Sequence, residues 1–241
     1  MTLDVLLLAA FHPELAALRP HLTASVDGLA GRVGGLEVAA RAVGIGLPAA
    51  AVGAAARVAT MSPRAVVLVG TCGAYSGRAP GAGAAILDVV IARRVRLVEP
   101  AVVEGRAAFP DPMSLVTEAS APISTALASR AAGRADRASV AYVDVATTLA
   151  VTTDDALATR IARETGCDAE HLEAYAVALA CAAHGIPFAA ALGVANVVGA
   201  RAREEWRVNH RVAADAAIAL VLAWLGAGAP GLDALPAPVA R

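Results

Sequence analysis

Four places in this chain carry side chains suited to acid, base or hydrogen-bond chemistry: Glu14, the run Gly70-Thr71-Cys72-Gly73, Glu173 and Asn196. A carboxylate positioned against a reacting group can move a proton. Glu14 follows Pro13 and Glu173 falls in an early helical turn, so each also reads simply as an acid favoured at a helix start. The glycine run reads either as a tight strand-to-loop turn or as a cradle whose amides and Thr71 hydroxyl meet a ligand's sugar or phosphate. Asn196 follows the apolar run Phe188 to Val194, and is either a turn former or a lone amide facing a ligand. All four lie at or near expected element ends. In open α/β sheets the carboxyl ends of strands are where ligands bind. If the strands are parallel neighbours, the four converge on one cleft.

The elements that must position them read as follows. Asp4 to Ala10 is an apolar strand, and Pro13 starts a short helix through Leu18. Gly28 to Gly35 is turn-rich, and Leu36 to Val43 is a strand. Gly44-Ile45-Gly46-Leu47-Pro48 opens a helix to about Thr60, whose small residues at Ala49 to Ala56 require close approach to the sheet. Ala65 to Val69 is a buried strand ending in the Thr71 turn. Ala84 to Val90 and Val95 to Val98 are strands, Pro110 to Met113 is a loop, and Asp136 to Val151 is β-branched and strand-like. Asp154 to Thr165 is an amphipathic helix. Asp168 is a good N-cap for a helix over Ala169 to Ala183, with His184 at its end, Gly185 as C-cap and Pro187 as breaker. Phe188 to Val194 reads as a strand covered on both faces. A last helix, Arg201 to Leu225, sets Trp206, Val208, Val212, Ala216, Leu220 and Trp224 at helical spacings. Strands and helices alternate, so the class is α/β, one domain over residues 1–225 with a frayed Gly/Ala/Pro-rich tail at 226–241.

Composition sets the limits. The chain has 241 residues, 58% of them hydrophobic but only 3% aromatic, so its core is built from Ala, Val and Leu. Every basic residue is Arg, and the net charge of -1 offers nothing to nucleic acid or an anionic membrane. Arg93, Arg94 and Arg96, the densest basic cluster, read as a solvated strand edge. Val5 to Phe11 is too short for a signal core and Asp4 argues against one, so a cytoplasmic protein is expected. Cys72, Cys167 and Cys181 lack CxxC spacing, which fits reduced thiols. His12, His21, His171, His184 and His210 have no metal-ligand spacing. Gly44-Ile45-Gly46 lacks the third glycine and downstream acid of a dinucleotide fingerprint, and there is no P-loop, nucleophile elbow or HExxH.

Taken in order, these segments resemble the nucleoside phosphorylase and nucleosidase superfamily, above all its hydrolytic branch. LLLAAFHPELAALR is similar to the opening strand and acidic loop of methylthioadenosine/S-adenosylhomocysteine nucleosidases. VGIGLPAA resembles their SGIG-type helix start, and VVLVGTCGAY the strand with its G[ST]xGG-like turn. HLEAYAVA stands where the family has its MEMEGAA-like signature, and GVANVVG where it has R-x-I-S-D. The resemblance runs from about Leu3 to Leu225.

The resemblance implies a three-layer α/β/α sandwich around a twisted mixed sheet, and a cofactor-free, metal-free enzyme that works as a homodimer or larger homo-oligomer. By position, Glu14 matches the acid that activates the attacking water and Glu173 the acid that binds the ribose hydroxyls. Thr71, Cys72 and Gly73 match the loop lining the sugar and base pocket. Phe11, Ile45 and Trp206 match residues lining the sugar or its 5′ substituent, while His171 and Leu172 flank the ribose-binding acid. Asn196 stands where adenine-releasing nucleosidases have an Asp that protonates purine N7. An amide donates a hydrogen bond but gives up no proton, which favours a leaving group able to carry negative charge, a 6-oxopurine. Futalosine hydrolases resemble this arrangement, with Asn196 followed by Trp206. The alternatives are a methylthioadenosine/S-adenosylhomocysteine nucleosidase, a purine nucleoside phosphorylase and a non-catalytic nucleoside-binding relative. No Arg accompanies Glu14 before Arg19, which favours water over phosphate as nucleophile, with Arg41 and Arg57 left open as distant phosphate ligands. Ala195 and Leu192 depart from the family's usual Ser and Arg, and no aromatic near Asp154 is evident to stack on the base.

Overall fold

Runs of Val, Leu and Ala with both faces covered become strands, and Ala-rich segments become the helices that cover them. The computed structural model describes residues 3–76, 84–130 and 139–234. β1 (Val5–Ala9) leads into a 3-10 helix, His12–Leu18, followed by β2 (Thr23–Ser25), β3 (Gly28–Val33) and β4 (Leu36–Ala42). Next come α1 (Leu47–Met61), β5 (Ala65–Ala74), β6 (Val89–Leu97) and the short α2 (Pro100–Val103). β7 (Val116–Glu118), α3 (Ala121–Ser129), β8 (Val140–Thr147) and α4 (Asp155–Thr165) follow. β9 (Ala169–Glu170), α5 (Ala174–Ala183), β10 (Phe188–Val197) and α6 (Ala202–Gly226) are the last of the described elements.

Among the described residues the strands form one mixed 10-stranded sheet in the order β10-β6-β8-β9-β5-β1-β4-β3-β2, with β7 on β6. β10 also pairs with β5, so β5, β10, β6, β8 and β9 close on themselves, and the ends of β5, β9 and β10 are brought together. One core layer lies under α1 and α5, where Ala50, Ala54, Val58, Val177 and Cys181 are buried. The other lies under α3, α6 and the 3-10 helix, around Leu15, Leu18, Ile123, Ile218 and Trp224. The architecture is the three-layer α/β/α sandwich with a twisted mixed sheet.

Several local expectations are corrected. Gly28 to Val33 is a strand hydrogen-bonded to β4, because hairpin pairing supplies what its composition does not. Ala84 to Asp88 is not a strand, whereas β6 runs unbroken through Arg93 and Arg94. Those arginines are no free edge. β6 is paired to β8, β10 and β7, and Asp144 of β8 accepts Arg93 Nε at 2.7 Å and Arg94 Nε at 3.0 Å. Burial would raise the Asp144 carboxyl, but the hydrogen bonds from Arg93 and Arg94 hold it below its usual range. Of the strand expected over Asp136 to Val151, residues 140–147 are strand, and 136–138 lie outside the described residues.

α6 is long and apolar enough to cross a membrane by length and composition alone. In the fold it lies along the sheet instead, burying Ala213, Ala217, Ile218, Val221, Trp224 and Leu225. Val208 and Val212, expected on that buried face, are exposed. The segment expected to be a frayed tail is packed as far as it is described: Ala229 and Leu232 are buried, and Trp224 Nε1 donates to Pro230 O at 3.0 Å. Residues 235–241 lie outside the described residues.

Candidate active site

Glu14 sits on the 3-10 helix at the carboxyl end of β1, where the chain turns back over β5. Its Oε2 accepts the Ala10 amide at 3.2 Å, and its Oε1 accepts the Thr71 amide at 3.0 Å and the Thr71 hydroxyl at 3.1 Å. This side chain therefore does more than cap a helix start. Burial, reinforced by the Glu173 carboxylate, raises the Glu14 carboxyl from 4.5 to about 7, against the lowering effect of its Thr71 and Ala10 hydrogen bonds. A carboxyl that is part ionised at neutral pH is suited to act as a general base.

The Thr71 run is not a turn. β5 continues through Gly70-Thr71-Cys72-Gly73 to Ala74, because β10 and β9 pair with it on either side. Gly70 is required there. Its φ is 151°, and a Cβ would stand 2.8 Å from Glu14 Oε1. Replacing Gly70 with Ala is expected to cost about 1 to 3 kcal/mol of stability, the range for backbone held outside its ordinary region. It should also push the Glu14 carboxylate off Thr71. Denaturant unfolding measures the first effect. An unchanged pH profile of turnover would show the second to be wrong.

The Thr71 hydroxyl is oriented from behind: Trp206 Nε1 donates to it at 3.2 Å, which leaves its own proton for Glu14. Trp206 is itself held in a stack with His210, ring centroids 4.4 Å apart and 18° from parallel, while Phe11 lies 6.5 Å away across the cavity wall. Beside Thr71, burial pushes the Cys72 thiol up to about 12, so this group is an apolar wall and not a nucleophile.

Glu173 differs from the expected early-turn acid. Residues 169–170 form β9, not helix, and Glu173 occupies the N-cap of α5 without capping it. Its Oε1 instead accepts the Gly46 amide at 2.6 Å, from the loop that opens α1. Asp168, expected as the N-cap, precedes β9. His171 is buried beside Glu173, with Nδ1 taking the Glu173 amide at 3.1 Å and lying 3.2 Å from Glu173 Oε2. Burial lowers the His171 pKa and outweighs the opposing pull of Glu173. Nδ1 serves as acceptor for the amide, so the contact with Glu173 Oε2 is not an ion pair.

Asn196 is inside β10 rather than past its end. The register with β5 slips between Val194 and Asn196, so Ala195 is the extra residue of a bulge, a device that re-aims the following side chain. Ala195 is fully buried and its carbonyl accepts Asn209 Nδ2 at 3.0 Å. The Asn196 side chain turns inward, with Nδ2 donating to Val197 O at 2.9 Å. Leu192 is likewise fully buried in β10 and offers no charge.

Glu14, the Thr71 run, Glu173, Asn196 and Trp206 meet around one cavity of about 280 Å³, which Ala195 and Leu192 do not line. Its lining includes Phe11, Glu14, Ile45, Thr71, Cys72 and Gly73 from the first part of the chain, and His171, Leu172, Glu173, Asn196 and Trp206 from the last part. Near Asp154 the cavity is lined by Val151, an apolar side chain and not an aromatic. Glu170 also lines the cavity, and sequence reasoning passed it over. The signal available was a second acid three residues before Glu173, hidden because the segment read as helix. Arg41 donates to Leu29 O and Ala40 O, and Arg57 pairs with Asp27. Among the described residues no arginine lines the cavity, and no group of His, Cys, Asp and Glu is arranged to hold a metal ion.

The fold is that of a known class, and the chain belongs to the phosphorylase superfamily, whose profile matches residues 4–225. It is similar in structure to a 5′-methylthioadenosine/S-adenosylhomocysteine nucleosidase from Colwellia psychrerythraea 34H bound to adenine. The TM-score is 0.80 at 19% identity, covering 94% of this chain and 96% of that one. The Neisseria meningitidis nucleosidase bound to methylthio-immucillin-A also gives 0.80, at 20% identity over 93% and 99% of the two chains. The futalosine hydrolase of Helicobacter pylori strain 26695 gives 0.80 at 13% identity over 98% and 99%. No curated protein sequence matches.

Proposed function

We propose that this protein hydrolyses the N-glycosidic bond of a purine nucleoside, and that its substrate is futalosine, cleaved to hypoxanthine and dehypoxanthine futalosine in menaquinone biosynthesis. The observation that carries this reading is Asn196, aimed by the bulge into a cavity that also holds Glu14 and Glu173. Glu14 takes a proton from water as the water oxygen bonds to C1′. The C1′–N9 bond breaks, and its electron pair leaves with the purine. Glu173 holds the 2′ and 3′ hydroxyls. Asn196 turns its amide from Val197 O to the departing base and stabilises the negative charge spreading into its 6-oxo system. The base then takes its proton from solvent. Buried, fixed dipoles and charges are most effective in such a water-poor cleft. The lack of a cavity-lining arginine among the described residues supports water rather than phosphate as nucleophile. Cytoplasmic location and assembly into a dimer or larger homo-oligomer belong to the same proposal.

A second reading, release of adenine from methylthioadenosine or S-adenosylhomocysteine, draws on the likeness to the nucleosidases named above. The test is purine release from futalosine, inosine and methylthioadenosine, each with and without phosphate. Futalosine should be cleaved fastest and phosphate should make no difference. Adenine release with futalosine untouched sinks the substrate assignment, and strict phosphate dependence sinks hydrolysis. Binding without turnover of any of them would leave a nucleoside-binding protein.

A further inference from the structure

Glu170 is a buried carboxylate in the cavity wall with no part in the chemistry above. Its surroundings are built with care. Tyr75 Oη donates to Oε2 at 2.7 Å, Thr152 Oγ1 donates to the same oxygen at 2.6 Å, and the Thr152 amide donates to Oε1 at 3.0 Å. Burial and the neighbouring Glu170 both raise the Tyr75 pKa, so the phenol keeps its proton and stays a donor. A carboxylate offers about four lone-pair sites. Oε2 is saturated by two donors, while Oε1 has one and can accept another.

The sheet register says where that acceptor stands. Gly73 pairs with Glu170 on one side and with Asn196 on the other, so all three lie in one row across β9, β5 and β10. Side chains of paired residues project to the same face. The Cα atoms of Glu170 and Asn196 are two strand spacings apart, about 10 Å. Between them Gly73 carries no side chain, and the space above it is taken by neighbours that line the cavity: a Cβ there would come within 2.7 Å of Val198 Cγ2 and 2.8 Å of Asn196 Nδ2. A slot bounded by an amide donor at one end and a carboxylate acceptor at the other fits the edge of a flat bicyclic base.

We infer that Glu170 selects the base: its Oε1 accepts the N1–H of a 6-oxopurine while the Asn196 amide donates at the opposite side of the ring. The inference rests on the 6-oxopurine reading above and names the residue that enforces it. Hypoxanthine carries a proton on N1. Adenine has a lone pair there, which would face the carboxylate oxygen and be repelled. The Thr152 and Tyr75 donors make Glu170 a positioned acceptor that cannot swing away to suit adenine.

Base binding tests this without any dependence on the sugar or on turnover. Calorimetric titration of the wild type with hypoxanthine, adenine and 1-methylhypoxanthine should show hypoxanthine bound tightest. Glu170→Gln should weaken hypoxanthine by roughly 10- to 100-fold, the worth of a charge-assisted hydrogen bond, without weakening adenine. A folded Glu170→Gln that keeps the full hypoxanthine preference overturns the inference alone. A wild type that prefers adenine overturns the 6-oxopurine reading and the inference together. If the variant does not fold, the wild type decides: 1-methylhypoxanthine, which lacks N1–H, bound as tightly as hypoxanthine overturns the role of Glu170.

Discussion

Glu14→Gln is expected to lower kcat/KM for the nucleoside by about 10² to 10⁴-fold, the usual worth of a positioned general base, while nucleoside binding changes little. The amide has the shape of the acid and can still accept from Thr71, but it cannot take a proton from water. The wild-type activity should rise with pH through about 7 and level off, because the carboxylate is the working form. The same ionisation acts on stability with the opposite sign. The folded protein binds this proton more tightly than the unfolded chain, so the stabilisation is present at low pH. It is lost as pH rises from 4.5 through about 7. Over that window the rise is worth about 3 kcal/mol. The stability of Glu14→Gln relative to wild type should therefore climb by up to about that amount between pH 5 and 8. Denaturant melts at the two pH values measure it, and parallel pH dependences would refute the buried-base assignment.

The second large effect concerns the base. Asn196→Ala should lower cleavage of the 6-oxopurine nucleoside by about 10²-fold through loss of a buried donor on the leaving group. Asn196→Asp is the more informative change. Its carboxyl would replace Nδ2 opposite Val197 O, now 2.9 Å away. Two oxygens meet there, and the position is 8% exposed, so the acid is favoured in its protonated form. A protonated Asp can pass its proton to a purine nitrogen. Release of adenine from methylthioadenosine should then rise by about 10²-fold over the wild type, while the 6-oxopurine nucleoside gains nothing. Steady-state kinetics on both substrates checks this. An Asp variant as inert toward methylthioadenosine as the wild type would remove Asn196 from the chemistry of base departure.

How legible the site was varies with what each residue depends on. Local pattern places Glu14 after a strand and a proline and Trp206 in the first turns of a long helix, but their roles in a site came from the family resemblance. The Thr71 run could be found but not understood. Its glycines spell a turn in isolation, and only pairing with β9 and β10 keeps it extended. Glu170 was missed for the same reason. The segment from Ala169 onward has helix-forming composition, yet its first two residues are claimed by β5 and β8 as a strand. Tertiary hydrogen bonding overrode propensity, as it commonly does where the preference is weak.

Asn196 shows the boundary most clearly. The amino-acid order alone set a lone amide against the end of an apolar strand, and set two acids far apart in the chain near other element ends. Those are local facts, fixed by side-chain chemistry and by periodicity of 2 or 3.6. What only the tertiary structure decided was convergence. The bulge at Ala195, the closure of β10 onto both β5 and β6, and the diversion of Glu173 from its own helix to Gly46 bring these groups to one cavity. Each depends on partners distant in sequence, and a sheet's register belongs to pairs of strands, so no single segment contains it.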